Sequence, residues 1–408
     1  MKKNWEIKRL EDLSDLITKG TTPTSVGYEF VEEGINFVKV ESIASNGEFL
    51  IPKFAHITAE CNGALKRSQL KENDILFSIA GALGRSSIVR EDILPANTNQ
   101  ALAIIRLKRS NQILPEFILK ALSSEFIFEQ VRKCKGGVAQ QNLSLAQVKD
   151  FQIPVPPLYE QQRIISIMDE AFTVINKAKE NAEKNLQNSR EFFESYLQSV
   201  FANPGDGWEE KKLREVCNFV RGPFGGSLKK SCFKPEGVAV YEQQHAIYNQ
   251  FERIRYFIDE EKFNEMKRFE VRPGDLIMSC SGTMGKVAVV PDGVQKGIIN
   301  QALLKLSPNK NLFAVFLKFW MESANFQEQI TKYSQGAAIQ NVASVNVLKE
   351  IEIPLPPLSE QHFIVEKLDA LSAETKRLEA IYQQKLAALD ELKKSVLQKA
   401  FNGELTGA

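Results

Sequence analysis

The chain has 408 residues, 43% of them apolar, and its 52 basic side chains nearly balance its 51 acidic ones. This length predicts two or more domains, with enough apolar residues to pack their cores. The balanced charge excludes a generally basic nucleic-acid-binding protein, so any contact with DNA has to come from local clusters of cations.

The cysteines and the N-terminus indicate the cellular compartment in which the protein is expected. The five cysteines are odd in number and show no Cys-x-x-Cys spacing, as expected of reduced thiols. The N-terminus lacks the apolar core of a signal peptide, and no apolar run approaches the roughly 18 residues of a membrane span. We therefore expect a soluble cytoplasmic protein.

Residues 1–157 and 204–357 repeat one order of predicted elements. Each repeat opens with a Trp-Glu pair, and a basic residue then leads into a turn-rich loop, at residues 19–23 and 221–226. Such a loop either only connects two elements or reaches a ligand. Both interpretations stay open.

A short apolar strand runs into a glycine-rich turn in each repeat, at residues 74–85 and 275–286. The turns have the forms Gly-x-x-Gly-Arg and Gly-x-x-Gly-Lys, and apolar return strands follow them. Glycines followed by a cation can present backbone N–H groups and one positive charge to a phosphate. A plain hairpin with a solvated Arg85 or Lys286 explains the pattern equally well.

Each repeat continues with an Asn-Gln-Ala-Leu strand start, a predicted helix and a polar loop that contains glycine. The helices are predicted over residues 115–131 and 312–330, and the loops over residues 136–142 and 335–341. Gln and Asn amides can read base edges, and glycine lets a backbone come close. Alternatively, these loops only anchor the domain against the base of the next helix.

Each repeat ends in Ile-Pro-x-Pro-Pro-Leu-x-Glu-Gln, at residues 153–161 and again 200 residues later at 353–361. Its prolines cannot continue a helix or pair in an inner strand, but they suit the start of a helix. The following residues predict two coiled-coil helices of roughly 40 residues, about 60 Å long, that end near residues 203 and 403. A surface helix packed along its own domain is the alternative.

The predicted coiled-coil seams occupy equivalent positions in the two helices. Eight of the ten positions are apolar in each helix, which favours a helix pair. The seam positions are Ile164, Met168, Ala171, Ile175, Ala178, Ala182, Asn185, Ser189, Phe192 and Tyr196, and then Ile364, Leu368, Leu371, Thr375, Leu378, Tyr382, Lys385, Leu389, Leu392 and Val396.

The repeats differ most in one polar stretch. Residues 37–50 and 241–250 occupy similar places but are unlike each other. A duplicated scaffold with divergent polar segments suggests two related domains that recognise different things.

Motifs of catalysis are missing from the sequence. It contains neither a Gly-x-x-x-x-Gly-Lys-Ser/Thr phosphate loop nor the Asn-Pro-Pro-aromatic or Asp-Pro-Pro-aromatic segment of an amino-methyltransferase. His56, His245 and His362 are scattered. We therefore assign no catalytic residue and no metal ligand.

We call the two Ile-Pro-x-Pro-Pro-Leu-x-Glu-Gln segments the exit motifs, or exits, of the repeats. Together with the final Ala-Phe-Asn-Gly-Glu-Leu, they resemble the specificity subunits of type I restriction-modification enzymes. The likeness covers essentially the whole chain. It implies a mixed α/β (α+β) fold in which two similar target-recognition domains are separated by two long antiparallel coiled-coil helices, with pseudo-two-fold symmetry. The domains correspond to residues 1–157 and 204–357, and the long spacer helices to residues 158–203 and 358–408.

The resemblance also implies a division of labour between subunits. Each domain reads one half of a bipartite, asymmetric site in double-stranded DNA, while the helices set the spacer and dock two methyltransferase subunits. Restriction and translocase subunits join the full complex. Methylation and cleavage are done by the partners, so this chain binds no cofactor, and S-adenosylmethionine, ATP and Mg²⁺ belong on the partner subunits.

The motif positions carried over from the family have a structural role. They are Pro156, Pro157, Leu158, Glu160 and Gln161, with Pro356, Pro357, Leu358, Glu360 and Gln361. Local cations and polar loop residues are the candidates for DNA binding: Lys19, Thr21, Thr22, Lys66, Arg67, Arg85, Lys135, Gln140, Arg221, Lys229, Lys230, Gln243, Gln244, His245, Lys286 and Gln340. A coiled-coil scaffold without DNA recognition and a stand-alone endonuclease are the competing hypotheses.

Overall fold

The computed structural model describes residues 4–109, 112–134, 142–224, 226–281, 283–332 and 345–406. Packing divides the chain into two compact units. Unit 1 comprises Met1–Glu183 and Gln384–Ala408, and unit 2 comprises Lys184–Gln383.

The first half of the chain contains nine strands and six α-helices among its described residues. The strands are β1 (Glu6–Arg9), β2 (Ser14–Lys19), β3 (Ile35–Val38), β4 (Ala55–Ile57), β5 (Ile75–Ser78), β6 (Ser86–Ile88), β7 (Ala96–Thr98), β8 (Leu102–Leu107) and β9 (Gln152–Val155). The helices are α1 (Leu10–Leu13), α2 (Ala59–Ala64), α3 (Pro115–Leu122), α4 (Glu125–Cys134), α5 (Leu145–Lys149) and α6 (Leu158–Ala202).

The second half repeats this order with one further short helix. Its strands are β10 (Glu209–Lys212), β11 (Cys217–Arg221), β12 (Val238–Tyr241), β13 (Tyr256–Ile258), β14 (Leu276–Ser279), β15 (Val287–Val289), β16 (Gly297–Ile299), β17 (Leu303–Pro308) and β18 (Glu352–Leu355). Its helices are α7 (Leu213–Val216), α8 (Gln243–Tyr248), α9 (Glu260–Glu265), α10 (Ala314–Glu322), α11 (Ala324–Lys332), α12 (Val345–Glu350) and α13 (Leu358–Asn402).

Among the described residues, each half forms three sheets with the same topology. In unit 1 a four-stranded antiparallel sheet has the order β2-β8-β5-β6, a three-stranded sheet has the order β4-β3-β7, and β1 pairs with β9. The corresponding orders in unit 2 are β11-β17-β14-β15, β13-β12-β16 and β10 with β18. The parallel pairs are β3 with β7 and β12 with β16. The predicted mixed α/β fold with two similar domains is confirmed.

The four-stranded sheet of unit 1 is buried on both faces. Ile75 and Phe77 of β5 pack with the helices, whereas Leu76 between them packs with residues of the three-stranded sheet. Successive side chains of a strand point to opposite faces, so a continuous apolar strand serves two cores. The helical core also contains Ala400 and Phe401 from the end of α13.

The single helix predicted over residues 115–131 is wrong in one detail, because the structure breaks it into α3 and α4. Ser124 lies between them and its hydroxyl donates to the carbonyl of Ala121 at 2.6 Å. Ser323 does the same in unit 2, donating to Trp320 at 2.7 Å between α10 and α11. A serine that bonds back to a carbonyl competes with the continuing helix.

The two long helices are confirmed, and each contains 45 residues. Within unit 1, Phe172 lies 5.1 Å from the Lys393 ammonium, measured to the ring centroid, and Lys179 pairs with Asp390 at 2.6 Å. Numbers rise along one helix as they fall along the other, so the segments within this unit are antiparallel. In unit 2, Arg190 pairs with Glu379 at 2.8 Å, which continues the same trend.

The predicted seam is correct over its first half and only partly correct beyond it, where Asn185 and Phe192 are exposed but Ser189 is buried and Tyr196 is half-buried. Ile164, Met168, Ile175 and Ala182 are buried, but Phe192 is 60% exposed. Burial steps from Ala178 to Ala182 and on to Leu186, two successive steps of four, followed by Ser189 and Phe193. Because an α-helix has 3.6 residues per turn, the stripe drifts from a strict seven-residue repeat.

The second helix shifts in the same way. Leu392 is 49% exposed, and the half-buried side chains at the corresponding turns are Leu386 and Lys393. Lys393 therefore occupies the inward position that the sequence pattern assigned to Leu392.

Candidate nucleic-acid interface

One edge of unit 1 collects the loops that follow β2, β3, β5 and β7. Lys19 at the end of β2 lies opposite Ala103 near the start of β8, and the end of β5 lies opposite Leu102. Val38 and Thr98, at the ends of the parallel strands β3 and β7, lie side by side. The turn from β7 to β8 joins the two sheets here. We call residues 19–34, 39–54, 79–85 and 99–101 the loop edge of unit 1.

Gly20 lets two segments of this edge cross closely. A Cβ at Gly20 would lie 1.8 Å from the carbonyl oxygen of Thr98, so only a hydrogen fits. The N–H groups of Gly20 and Thr21 donate to the carbonyls of Asn99 and Thr98 at 3.1 and 3.2 Å. The Thr98 hydroxyl in turn donates to the carbonyl of Val38 at 2.8 Å. The first loop is thereby fixed to the ends of β7 and β3.

The predicted residues of the first loop lie on this edge. Lys19 is exposed, and Thr21 and Thr22 are half-buried. The Thr22 hydroxyl donates to the side-chain oxygen of Gln100, which joins the loop to the turn between β7 and β8. The structure therefore brings these three candidates together.

Arg85 has a different role from either sequence interpretation. Its turn is a hairpin between β5 and β6, but the guanidinium is half-buried and not simply solvated. Its Nη1 donates to the carbonyls of Ile43 and Val40 at 2.8 and 3.4 Å. Arg85 therefore holds the one-turn 3-10 helix Val40–Ser42, which lies in the divergent polar stretch.

Lys66 and Arg67 are exposed in the 3-10 helix Lys66–Ser68 that follows α2. This turn is fixed to the end of β7, because the buried Asn97 amide donates to the carbonyl of Leu65 at 3.2 Å. Two cations are thus held beside the loop edge. Lys135, Gln140 and Gln340 lie outside the described residues.

Unit 2 has an equivalent loop edge, formed by the described residues within 221–237, 242–255, 280–286 and 300–302. Gly222 repeats the close crossing, since a Cβ there would lie 1.8 Å from the carbonyl oxygen of Asn300. Asn99 and Asn300 each accept from the N–H two residues on, at 3.1 and 3.0 Å. The shared Asn-Gln-Ala-Leu sequence therefore builds the same turn in both units.

Arg221 begins the loop edge of unit 2. It is half-buried, with its guanidinium 5.7 Å from the centre of the exposed Phe224 ring. Among the described residues, no hydrogen-bond partner reaches its Nη1. Burial raises the pKa of the neighbouring Cys280 thiol to about 11, and the Arg221 cation opposes this shift. That Nη1 atom is itself buried, and the Arg221 side chain also hydrogen-bonds the Cys280 thiol, so the guanidinium is held inside this edge.

The three polar candidates of α8 are placed differently from one another. Gln243 donates to the carbonyls of Ser281 and Thr283, the latter at 3.3 Å, and Gln244 is exposed. His245 is 1% exposed. Its Nδ1 accepts from the N–H of Glu242 at 2.8 Å, and its Nε2 lies 3.1 Å from the carbonyl of Arg253. His245 therefore braces the loop from within and is not placed to meet a base.

The remaining candidates of unit 2 are exposed cations. Lys229 and Lys230 lie at the start of the 3-10 helix Lys230–Cys232. Lys286 lies at the end of the glycine turn, where its N–H donates to the Ser279 hydroxyl at 3.0 Å and its side chain is exposed. The turn is a hairpin between β14 and β15, as in unit 1.

The doubled Glu-Gln of the exits fastens each domain to its helix. The indole of Trp5 donates to Glu160 at 3.1 Å, and the indole of Trp208 donates to Glu360 at 2.9 Å. Glu160 also accepts from the Thr406 hydroxyl at 2.6 Å. The sequence assigned these glutamates a structural role without naming their partners. The Trp-Glu pair that opens each repeat was the sequence signal that could have identified the tryptophans as these partners.

The glutamines complete the attachment. Gln161 accepts from the N–H of Leu114 at 3.0 Å and donates to the carbonyls of Gln112 and Pro156 at 2.8 and 2.9 Å. Gln361 makes the equivalent bonds to Phe313, Asn311 and Pro356. Both glutamines are fully buried.

A family model described as "Type I restriction modification DNA specificity domain" matches the chain twice, over residues 2–186 and 205–387. The chain is 24% identical to the type I restriction enzyme MjaVIII specificity subunit of Methanocaldococcus jannaschii, with 98% of this chain and 93% of that one covered. It is 25% identical to the EcoBI specificity subunit of Escherichia coli over 66% of this chain and 61% of that one.

Solved structures share the fold. The HsdS subunit from Thermoanaerobacter tengcongensis is 21% identical and superposes with a TM-score of 0.64, covering 99% of this chain and 98% of that one. A chain from a study of complex assembly and conformational transition of the type I R-M system gives a TM-score of 0.81 at 22% identity, with 99% of each chain covered.

The fold and the two loop edges define a protein with two copies of one recognition domain. The chain belongs to the type I restriction-modification DNA specificity family, and it is a specificity subunit with two target-recognition domains. Within the residues that the structure describes, no helix combines the length and the apolar character needed to span a bilayer.

Proposed function

We propose that each loop edge reads one half of a bipartite, asymmetric DNA site. The observation that carries this proposal is that the two units share the same strand scaffold but differ in the loops that follow β3 and β12. After β3, unit 1 has the 3-10 helix Val40–Ser42, braced by Arg85, whereas after β12 unit 2 has α8, tied down by Gln243. Two edges of the same construction with different polar surfaces suit two different half-sites.

The cations at the edges support a DNA partner over a protein partner. Lys19, Lys66 and Arg67 in unit 1 are exposed, as are Lys229, Lys230 and Lys286 in unit 2. Such side chains contact phosphates and set the register of a domain on the duplex. Base contacts then fall to side chains of the divergent loops, among which Gln244 is exposed. Lys135, Gln140 and Gln340 remain candidates on the sequence alone.

The long helices supply the spacer and the docking surface for two methyltransferase subunits. Phe192 and Leu392 are equivalent positions, and both are exposed, at 60% and 49%. Large exposed apolar side chains at matched positions are expected where two copies of one partner bind. We propose residues 1–157 and 204–357 as the reading domains, and 158–203 and 358–408 as the spacer segments.

Under this proposal the bond-making steps belong to the partner subunits. S-adenosylmethionine, ATP and Mg²⁺ are bound by those partners and not by this chain, which works in the cytoplasm. The alternative of a stand-alone nuclease predicts that the purified chain with Mg²⁺ cuts plasmid DNA. We expect no cutting.

An exchange of residues 1–157 for a divergent domain of the same family tests the proposal. Assembled with its methyltransferase partners, the exchanged protein is expected to methylate a motif in which one half has changed and the other is retained. Long-read sequencing of methylated DNA gives both halves in one experiment.

The matched control is the exchange of residues 204–357, which should alter only the other half. A scaffold that does not recognise DNA predicts the same methylated motif in all three proteins, and that result would remove the proposal.

A further inference from the structure

A pocket of about 260 Å³ opens in unit 1 between the loop edge and the long helices. The loop side contributes Asn46 and Arg85, and the helical side contributes Lys120, Phe172 and Lys393. Hydroxyl groups also line it, including that of Ser123. All of these residues belong to unit 1. The pocket therefore combines three cations with neutral hydrogen-bonding groups.

The Phe172 ring organises two of the cations. The ammonium of Lys120 lies 5.4 Å from the ring centroid, and that of Lys393 lies 5.1 Å from it. A cation is attracted to the face of an aromatic ring, so the ring can hold two like charges near each other. Phe172 comes from α6 and Lys393 from α13.

The positive charge of the pocket is only partly compensated. Lys120 pairs with Asp169 at 2.5 Å. In the part of the chain that the structure describes, no carboxylate forms an ion pair with Arg85 or Lys393. Asp390, on the same helix as Lys393, is paired with Lys179 at 2.6 Å, and the more distant Lys393 cation adds only a smaller lowering of the pKa of this carboxyl. Arg85 donates only to neutral backbone carbonyls. Two cations remain available to an anion.

Unit 2 does without this arrangement. The position equivalent to Lys393 is Phe193, which packs against Phe319 with ring centroids 6.5 Å apart, and the position equivalent to Phe172 is Ser372. The fold therefore accepts an apolar side chain at this point of the helix. A lysine that replaces such packing in one unit only indicates a role other than stability.

We propose that this pocket binds a phosphate of the DNA backbone beside the half-site read by unit 1. The inference rests on the proposed function, since the pocket adjoins the loop edge through Asn46 and Arg85. A phosphate contact adds affinity without reading sequence. The site therefore holds the duplex where the half-site passes toward the spacer.

Replacing Lys393 with glutamine tests the site in the complex of the full chain with its methyltransferase partners. Losing one phosphate contact should reduce the magnitude of the slope of log K against log salt by about 0.9. The ratio of the DNA affinity of the unmodified complex to that of the variant should then fall about 3.5-fold between roughly 50 and 200 mM salt. The methylated motif should stay the same. Lys393→Arg should restore the slope.

Lys394→Gln is the matched control. It removes the same charge one residue away, from an exposed lysine that pairs with Glu391 at 2.7 Å. We expect its slope to stay at the value of the unmodified protein. If Lys393→Gln and Lys394→Gln give equal slopes, the phosphate site is wrong although the proposed function stands.

The remaining outcomes separate the two proposals. If the unmodified complex binds no DNA site at all, the proposed function and the pocket assignment both fail. ATP is the probe for a free phosphate ligand, and we expect the purified chain not to bind it. If the purified chain binds ATP, and Lys393→Gln abolishes that binding while leaving the DNA salt slope unchanged, the pocket takes a free nucleotide and not the DNA backbone.

Discussion

Replacing Gln161 with leucine is expected to lower the free energy of unfolding of unit 1 by about 3 kcal/mol or more. The change removes three hydrogen bonds and leaves the N–H of Leu114 and the carbonyls of Gln112 and Pro156 without partners. Gln161 is fully buried, and a backbone group left unsatisfied away from water costs about 1–3 kcal/mol, so the effect should greatly exceed that of a surface substitution. Denaturant unfolding measures it.

Gln162 provides the control, because it is the next residue of the same helix and is exposed. Gln162→Leu should change the stability by no more than about 0.5 kcal/mol. Gln361→Leu should repeat the large effect in unit 2, where the same three kinds of bond are made. Equal stabilities for the Gln161 and Gln162 variants would show that the exit motif does not fasten the domain to its helix.

Gly20→Ala is expected to destabilise unit 1 by about 2–3 kcal/mol and to weaken recognition of one half-site. The new Cβ would lie 1.8 Å from the Thr98 carbonyl oxygen, so the first loop or the turn after β7 has to move. Both belong to the loop edge, and the displacement should reach Thr21 and Thr22. Unfolding by denaturant and methylation of sites altered in one half measure the two effects.

Gly63→Ala is the matched control for this substitution. Gly63 lies in α2, and a Cβ there meets nothing within 4 Å. Because alanine is the better helix former, the control should be neutral or more stable by up to about 1 kcal/mol. Gly222→Ala should act in unit 2 as Gly20→Ala acts in unit 1. Similar losses for the variants at Gly20 and Gly63 would contradict the close crossing.

The long helices could be predicted from the sequence because their signals are local. Prolines exclude the preceding chain from a helix, and a glycine follows the end of the second helix at Gly403, where φ is +78°. The break between α3 and α4 was missed because apolar spacing continues across it. The decisive interaction there is a hydroxyl bond from Ser124 to the carbonyl of Ala121, which a periodicity does not register.

The loop edges were harder to predict from the sequence than the helices, because they depend on which strand ends lie next to each other in the fold. Strands of three residues, such as β4 and β7, carry too little pattern to reveal the second sheet. The joining of Gly20 and Thr21 to the end of β7 depends on the position of that sheet. The polar neighbours of His245 suggested an exposed, DNA-contacting side chain, but the folded domain buries it. Because the buried stripe drifts along the helix, the seven-residue pattern assigned the inward position to the apolar Leu392, whereas the structure gives it to Lys393.

The central claim is that one chain carries two different readers for the two halves of one DNA site. Mapping methylated bases by long-read sequencing, in the host with and without this gene, tests it most directly. We predict a methylated motif of two specified half-sites around an unspecified spacer, present only when the gene is present. A set of methylated motifs that is identical with and without the gene would contradict the claim.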